Sequence, residues 1–438
     1  MNVPNRPRRS VAALGLSVLL AACGTTSAPT PIPESSGGAS PTPRPSTSGA
    51  PSPAVSASPV DPATLYAEIE GQVREIRGLE EKTPVEPKVI GEDELVALLK
   101  QEFERDNPPE YLAAQGRMME HLGLLPPGSD LEAMLLELLG SQVLGQYDQN
   151  TKELYVISRS GGIGPVEEIT YAHEYDHALQ DQNYGVDPIL DVGLDQSDKG
   201  LARLSLLEGD ATFLMVRWGQ ANMTAAELGE VASAGSDPET QAILDKMPTI
   251  IQESLQFPYN AGLAFVGAAQ LRGGWPAVDA MYGQLPDTTE QILHPDKYLA
   301  KEAAIPVTFP KDLATRLGGT WKETIQDTFG EFQTDVWLVD VGEATPATAL
   351  DAAGGWGGDR LVLLEDGSGA WAVVLDTAWD TDADQAAFVQ AAQGVARKLT
   401  TTSSFADVFQ RDATSATVIV ASDRDAQGKV ANILGLAG

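Results

Sequence analysis

The sequence predicts an α+β fold, in which a mostly helical part precedes a smaller part of mixed helices and strands. Three observations support this prediction. The chain from about Asp61 to Tyr298 is dominated by apolar residues at helical spacing, two pairs of short apolar runs flank polar turns, and the last third returns to strand-like runs. With 438 residues and an apolar fraction of 42%, the chain can form two or three domains.

Residues 1–23 have the layout of a lipoprotein signal peptide. Three arginines among the first nine residues precede an apolar stretch from Val11 to Ala22, which is too short for a stable transmembrane helix. The run Leu20-Ala-Ala-Cys resembles the lipobox of bacterial lipoproteins, in which the signal is cut before a cysteine that carries lipid. We therefore expect lipidation of Cys23 and anchoring of the exported chain on the extracytoplasmic face of a bacterial membrane. A plain secretory signal is the alternative.

Residues 24–60 predict a disordered tether. They contain nine Pro and fourteen Ser or Thr in 37 residues, which leaves too little apolar surface to offset the entropy lost on ordering. Pro-rich chain is semi-extended, so this tether reaches on the order of 100 Å. The remaining chain divides into a first part, residues 61–303, and a C-terminal unit, residues 304–438.

The first part is mainly helical. Its predicted helices share apolar residues at helical spacing and cover residues 62–79, 92–105 and 130–139, a segment that starts at Pro165, and Gly200 to Trp218. Between the third and fourth of these helices, the apolar runs Val143–Asp148 and Glu153–Ser158 flank a polar turn and predict a β-hairpin.

The C-terminal unit combines strands and helices. Its predicted elements are a hairpin of residues 360–365 and 370–375, a helix over 382–399, a strand over 416–421 and a helix over 425–436. The glycine-rich run from Trp356 to Arg360 predicts a turn.

Charge and cysteine content restrict the possible partners. The chain has 29 Lys and Arg against 62 Asp and Glu, a formal net charge of -33. Nucleic acid and anionic lipid both require clustered basic residues, so this balance argues against nucleic-acid binding and against adhesion through a basic patch. The single cysteine excludes an intramolecular disulfide and a cysteine-based zinc site.

The helix that begins at Pro165 contains His173-Glu-Tyr-Asp-His177, an H-E-x-x-H motif. Residues at positions i and i+4 share one helical face, so the two imidazoles can bind one zinc ion. Glu174 lies beside the first histidine and is the candidate general base. The alternative is a pair of structural histidines with Glu174 as a bystander.

Zinc needs a third protein ligand. A metzincin would have Gly at position 180 and His at position 183, where this chain has Gln and Asn, so that class is excluded. The next apolar helix offers Glu208 and Asp210. We predict Glu208 as the ligand, because its helical face is otherwise apolar and a carboxylate there needs a cation. Asp210 shares a face with Arg203 and Arg217 and is predicted to form an ion pair or to orient a histidine ligand.

The motif, with Glu208 on a later helix, resembles the gluzincin metallopeptidases. More narrowly, the run His173-Glu-Tyr-Asp-His-Ala-Leu-Gln-Asp-Gln and residues 207–211, 288–298 and 355–360 are similar to a group of exported bacterial lipoproteins. The resemblance spans most of residues 85–385. It implies a zincin-like catalytic domain over residues 61–303, and a hairpin at residues 143–158 that forms the sheet edge where a peptide adds as a strand.

This resemblance predicts a membrane-tethered zinc metallopeptidase that acts on peptides or proteins with one Zn²⁺ per chain. Glu174 is the expected general base, and His294 is the first candidate to stabilise the oxyanion, followed by Tyr298 and Tyr259. A local hydrogen bond before Pro295 explains His294 equally well, and His121 is expected to be an ordinary residue at a helix end. The alternatives are a zinc hydrolase of a non-peptide amide or ester, and a non-catalytic binding or scaffold lipoprotein.

Overall fold

A computed structural model of the chain describes residues 61–142, 144–157, 163–235 and 238–436. The predicted α+β class is confirmed. The predicted signal peptide, the lipid site Cys23 and the tether lie outside the described residues. Within the described ranges, no helix is long and apolar enough to cross a membrane.

Helices make up most of the described first part and surround the sheet of the C-terminal unit. They are α1 (Pro62–Arg77), α2 (Glu92–Asp106), α3 (Pro109–His121), α4 (Leu131–Gln142), α5 (Pro165–Tyr184), α6 (Asp187–Leu190), α7 (Ser197–Asn222), α8 (Ala225–Ala234), α9 (Pro238–Leu244), α10 (Thr249–Gly273), α11 (Trp275–Met281), α12 (Thr289–Leu293), α13 (Pro295–Ala300), α14 (Leu313–Leu317), α15 (Gly330–Asp340), α16 (Pro346–Ala353), α17 (Asp382–Leu399) and α18 (Arg424–Leu434).

The described strands form two sheets. They are β1 (Pro87–Ile90), β2 (Gly145–Asp148), β3 (Glu153–Ile157), β4 (Lys322–Asp327), β5 (Trp356–Glu365), β6 (Trp371–Trp379), β7 (Phe405–Gln410) and β8 (Ser415–Ala421). The first sheet has the order β1-β3-β2 and the second the order β4-β5-β6-β8-β7.

The three-stranded sheet contains the predicted hairpin. Strands β2 and β3 pair antiparallel, and β1, which the sequence reading missed, pairs parallel with β3. Strand β2 therefore lies at an edge of this sheet. The hairpin is attached to α5 through Asp181, which accepts hydrogen bonds from the Tyr147 hydroxyl at 2.8 Å and from Lys152 Nζ at 2.6 Å.

Helix α5 begins where proline and acidic residues favour a helix start. Pro165 occupies its first turn, and the Glu167 side chain accepts the Gly164 amide at 3.1 Å. The helix is buried along most of its length between α1, α7 and the three-stranded sheet. Helix α7 packs between α5 and α10. This arrangement holds α5 and α7 side by side.

The sheet of the C-terminal unit packs on both faces. Residues that alternate along β5 and β6 divide between two apolar clusters. One face, with Val362 and Val374, packs against α14 and α18. The opposite face, with Leu363 and Val373, belongs to the same continuous cluster as Leu206 of α7 and Phe265 of α10. The C-terminal unit and the first part therefore share one core.

The turn predicted over residues 356–360 is wrong, because these residues form the first half of β5. A Cβ atom on Gly358 would stand 2.2 Å from the Ile305 carbonyl oxygen. The glycine therefore allows the backbone at Ile305 to pack directly against β5. Asp359 accepts the backbone amides of Phe329 and Gly330, both at 2.7 Å. The run thus joins two distant segments instead of reversing the chain.

Candidate metal centre

The two motif histidines lie one turn apart on α5 and point to the same place. Their Nε2 atoms are 3.1 Å apart and their ring planes are nearly perpendicular, at 87°. His173 is buried, and the His177 side chain is 16% exposed. The helical spacing that the sequence predicted therefore brings both imidazoles to one point.

Glu208 of α7 completes a group of three. Its Oε2 atom lies 3.3 Å from His173 Nε2 and 3.4 Å from His177 Nε2. Glu208 is 3% exposed, and Oε2 has no hydrogen-bond partner among the described residues. The packing of α7 on α5 thus places a buried carboxylate against both histidines.

The separations fit a tetrahedral metal ion. With bonds of about 2.0–2.1 Å, a tetrahedral zinc site separates its ligand atoms by about 3.3–3.4 Å. The three ligand atoms here are 3.1, 3.3 and 3.4 Å apart. Two imidazoles and one carboxylate are also a usual donor set for zinc with an open fourth position. The residues present therefore fit the ion that the motif predicts.

The electrostatics of the group favour a cation. Burial disfavours the charged forms of His177 and Glu208. The opposite charge of each residue outweighs this effect of burial on the pKa of the other. The Glu208 carboxylate raises the pKa of His177 to about 10. The two histidines hold the pKa of Glu208 at about 2. A positive charge beside this carboxylate is thus stabilised, and a proton or a metal ion can supply it.

The side chain of Glu174, the predicted general base, extends from α5 to the edge strand β2. Its Oε2 atom accepts the Tyr147 amide of β2 at 2.8 Å. Its Oε1 atom is buried and has no hydrogen-bond partner among the described residues. One carboxylate oxygen is therefore fixed by the strand, and the other is available for a proton.

The sequence predicts that Asp210 forms an ion pair or orients a histidine ligand. The hydrogen bonds described for Asp210 join it to other residues and to neither histidine. It accepts two hydrogen bonds from Arg77, from Nε at 3.0 Å and from Nη2 at 2.9 Å, and one from the Tyr282 hydroxyl at 2.6 Å. Arg77 of α1 is fully buried and stacks on Trp275. Asp210 does form an ion pair, but its partner is Arg77, which is distant in the sequence. The reason is that the Asp210 side chain faces α1.

Neither of the arginines predicted to pair with Asp210 forms an ion pair with it among the described residues. Arg203 binds the Ile189 carbonyl and Asp287 instead. No described ion pair joins Arg217 to Asp210. Arg77 of the facing helix α1 is the partner of Asp210 instead.

His294 is not part of the group formed by His173, His177 and Glu208. It lies between α12 and α13, with Nε2 2.8 Å from Glu331 Oε1. That contact raises the pKa of His294. The Tyr298 hydroxyl donates to the Gln284 carbonyl at 2.6 Å, and Tyr259 is buried in α10. His121 ends α3, as expected, and stacks on Trp371 with ring centroids 3.5 Å apart.

A second acidic group lies where α12, α13 and the C-terminal unit meet. Oxygen atoms of Glu290, Glu302 and Asp380 lie within 4.8 Å of one another. Lys297 forms ion pairs with all three carboxylates. A lysine thus already occupies the position that a cation would take, and this group is a structural ion cluster.

Two residues around the histidines escaped the sequence analysis. Gln180 contacts His177, with Oε1 3.0 Å from Nδ1, and Arg77 connects α1 to α7. Gln180 had a usable signal, because residues at i and i+3 are neighbours on a helix and it lies three positions after His177. Arg77 had none, since its partner Asp210 is 133 positions away in the sequence.

Comparisons with known proteins cover parts of the chain. Residues 316–431, within the C-terminal unit, match a family described as a domain of unknown function, DUF8575. No curated protein matches the chain. Among solved structures, a protein of Chloroflexus aurantiacus described as "a putative hydrolase with a novel fold" is 18% identical, with a TM-score of 0.35. The match covers 56% of this chain and 92% of that protein.

Proposed function

We propose that this protein is a zinc-dependent hydrolase of peptide bonds, a gluzincin-like metallopeptidase. The observation that carries the proposal is the convergence of two imidazole nitrogens and one carboxylate oxygen, 3.1–3.4 Å apart and nearly buried. His173, His177 and Glu208 would hold the zinc ion. When bound, the ion would act as a Lewis acid that polarises the scissile carbonyl and acidifies the attacking water.

Glu174 is the general base of the proposed reaction. Its Oε1 atom is free to take a proton from the attacking water, while the Tyr147 amide holds Oε2 in place. The same carboxyl group would then pass the proton to the leaving amine. Glu174 directly follows the ligand His173 in the sequence, so the base lies on the same helical turn as a proposed zinc ligand.

A peptide is the preferred substrate because the base contacts strand β2, which lies at an edge of its sheet. Ile157 of β3 donates to the Leu144 carbonyl. Since backbone groups alternate in direction along a strand, Gly145 and Tyr147 direct theirs away from β3. The Tyr147 amide reaches Glu174. An extended peptide that added to this edge would therefore run past the catalytic carboxylate.

Export and lipid anchoring complete the proposal and rest on the sequence alone. If Cys23 carries lipid, the full chain partitions into the membrane fraction of a bacterial host, and a Cys23→Ser variant does not. Mass spectrometry of the mature N-terminus tests the same point directly. A wild-type chain that starts at another residue and carries no lipid would refute the anchoring.

The decisive test of the chemistry is a Glu174→Gln variant. It should bind as much zinc as the wild type, because Glu174 is not a ligand, and should cleave a peptide library at least 100-fold more slowly. Glu168→Gln, on the same helix but five residues before His173, is the matched control and should cleave normally. Cleavage by Glu174→Gln at the wild-type rate would refute the mechanism.

The same experiment separates the proposal from its alternatives. A wild-type protein that binds zinc but cleaves no peptide, and hydrolyses another amide or ester, would be a non-peptide hydrolase. A protein that takes up less than about a tenth of a zinc ion per chain after loading would not be a zinc enzyme.

A further inference from the structure

We propose that Gln180 is the positioning residue for His177, one that fixes which ring nitrogen faces the metal position. This inference rests on the proposed zinc site. Gln180 is fully buried on α5, three residues after His177. A buried amide beside a candidate metal ligand must satisfy its own hydrogen bonds, and the way it does so determines the orientation of the ring.

The contacts of Gln180 define the direction of its amide group. One end lies 3.1 Å from the Leu207 carbonyl oxygen and 3.2 Å from Asp176 Oδ2. A backbone carbonyl can only accept a hydrogen bond, so this end is the NH₂ group. The other end, Oε1, therefore faces His177 Nδ1 at 3.0 Å.

This direction determines the proton on the imidazole. A carboxamide oxygen accepts and cannot donate, so Nδ1 of His177 must carry the hydrogen. Its Nε2 atom, 3.4 Å from Glu208 Oε2, is then left with a lone pair for the metal ion whenever the ring is neutral. His173 has no such support, because its Nδ1 is buried without a hydrogen-bond partner among the described residues.

Gln180 also connects the two helices that supply the ligands. It lies on α5, and its bond to the Leu207 carbonyl reaches the residue next to Glu208 on α7. Asp176, its other acceptor, lies 3.9 Å from the buried Arg77, which also pairs with Asp210. The amide is thus held at one end by rigid groups and presents its oxygen to the ring at the other.

The test compares zinc affinity in the full chain by competition with a chelator. Gln180→Met keeps the length of the side chain and removes the acceptor, and we expect zinc affinity to fall about 10- to 100-fold. Gln180→Glu keeps an acceptor for Nδ1, and its protonated carboxyl group, which burial and the neighbouring Asp176 favour, still donates to the Leu207 carbonyl. Its affinity should therefore stay within about threefold of the wild type. Gln182→Met is the matched control, since Gln182 is a neighbouring glutamine that binds Lys82 and Thr83 instead. It should bind zinc normally.

The visible spectrum of the cobalt-loaded proteins gives a readout that a purely structural role would not change. Gln180→Met should alter the ligand-field bands, and Gln180→Glu should restore them. Equal zinc affinity and equal spectra in wild type and Gln180→Met would overturn the inference and leave the zinc site intact. If Gln180→Met does not fold, Gln180→Glu decides alone, because a tenfold loss of affinity there would also overturn it. A wild-type chain that binds no zinc would instead refute the proposed function.

Discussion

Gly209 of α7 lies against Gly262 of α10 so closely that a Cβ atom on Gly209 would stand 2.3 Å from the Gly262 carbonyl oxygen. A Cβ atom on Gly262 would in turn stand 2.2 Å from the Ser205 carbonyl oxygen. Both obstacles are backbone atoms, so no side-chain rotation can relieve them. Glu208 directly precedes Gly209, and the close contact of the two helices therefore sets the position of the third candidate ligand.

A Gly262→Ala variant tests this contact. The added methyl group must push α7 and α10 apart, and we expect the free energy of unfolding to fall by about 1–3 kcal/mol. Zinc affinity should fall as well, because Glu208 moves with α7. Urea unfolding of the zinc-free protein and chelator competition measure the two effects.

Gly229 provides the matched control. It lies inside α8, and nothing stands within 4 Å of a Cβ atom added there. Gly229→Ala should therefore raise the free energy of unfolding by about 0.5–1 kcal/mol and leave zinc affinity unchanged. If Gly262→Ala binds zinc as tightly as the wild type, the helix contact does not position the ligand.

A pair of variants distinguishes the two acids that the sequence left as ligand candidates. Glu208→Gln should lose most of its zinc, because it removes the charged ligand atom near both histidines. Asp210→Asn should keep its zinc but lose up to about 3 kcal/mol of stability, since it weakens the main counter-charge of the buried Arg77. Metal analysis and urea unfolding check both. The opposite pattern would make Asp210 the ligand.

The sequence predicted those features that depend on local spacing. Apolar residues recur at a fixed period in the H-E-x-x-H helix, in the hairpin of β2 and β3, and in the helix over residues 382–399. The structure contains each of these elements. Glu208 was also found locally, as a lone acid on an apolar helical face. Each of these signals lies within one or two elements.

The features that the sequence reading missed depend on distant or weakly patterned residues. Strands β1 and β4 are short, and Asp327 is their only buried residue, so they lack the apolar alternation that marks a strand. The pairing of Asp210 with Arg77 joins residues 133 positions apart, and spacing along one helix favoured the wrong arginines. Tertiary contacts, which a single sequence does not display, decided these cases.

His121 should make the fold sensitive to acid. Burial against Trp371 lowers its pKa to about 4, against about 6.5 in an unfolded chain. The folded state therefore favours the neutral ring. The contribution of the neutral His121 ring to the free energy of unfolding is complete above about pH 6.5 and is lost as the pH falls towards 4. His121→Phe keeps a ring on Trp371 but cannot take a proton, so its stability should fall less than that of the wild type over this range.

Urea unfolding at several pH values measures this difference. We expect the gap between His121→Phe and the wild type to change by about 1–3 kcal/mol between pH 7 and pH 4. The full pKa difference sets the upper end of that range, and partial exposure of the ring reduces it. Parallel pH profiles for the two proteins would show that His121 does not titrate in this way.

The first part and the C-terminal unit should unfold together, because one apolar core runs through both. Phe257 of α10 packs on Phe332 of α15 with ring centroids 4.2 Å apart, and the fully buried Trp337 donates to the Leu122 carbonyl at 2.8 Å. A fragment of residues 61–303 would expose this surface, and we expect it to lack a cooperative unfolding transition and to bind zinc poorly. Trp337→Phe removes the hydrogen bond to Leu122 and part of a buried ring, and it should lower the stability of the whole chain by about 1–3 kcal/mol in a single transition. Circular dichroism and tryptophan fluorescence, recorded on the same urea series, should then report the same midpoint. A fragment of residues 61–303 that unfolds cooperatively and binds zinc like the full chain would show instead that the candidate site is independent of the C-terminal unit.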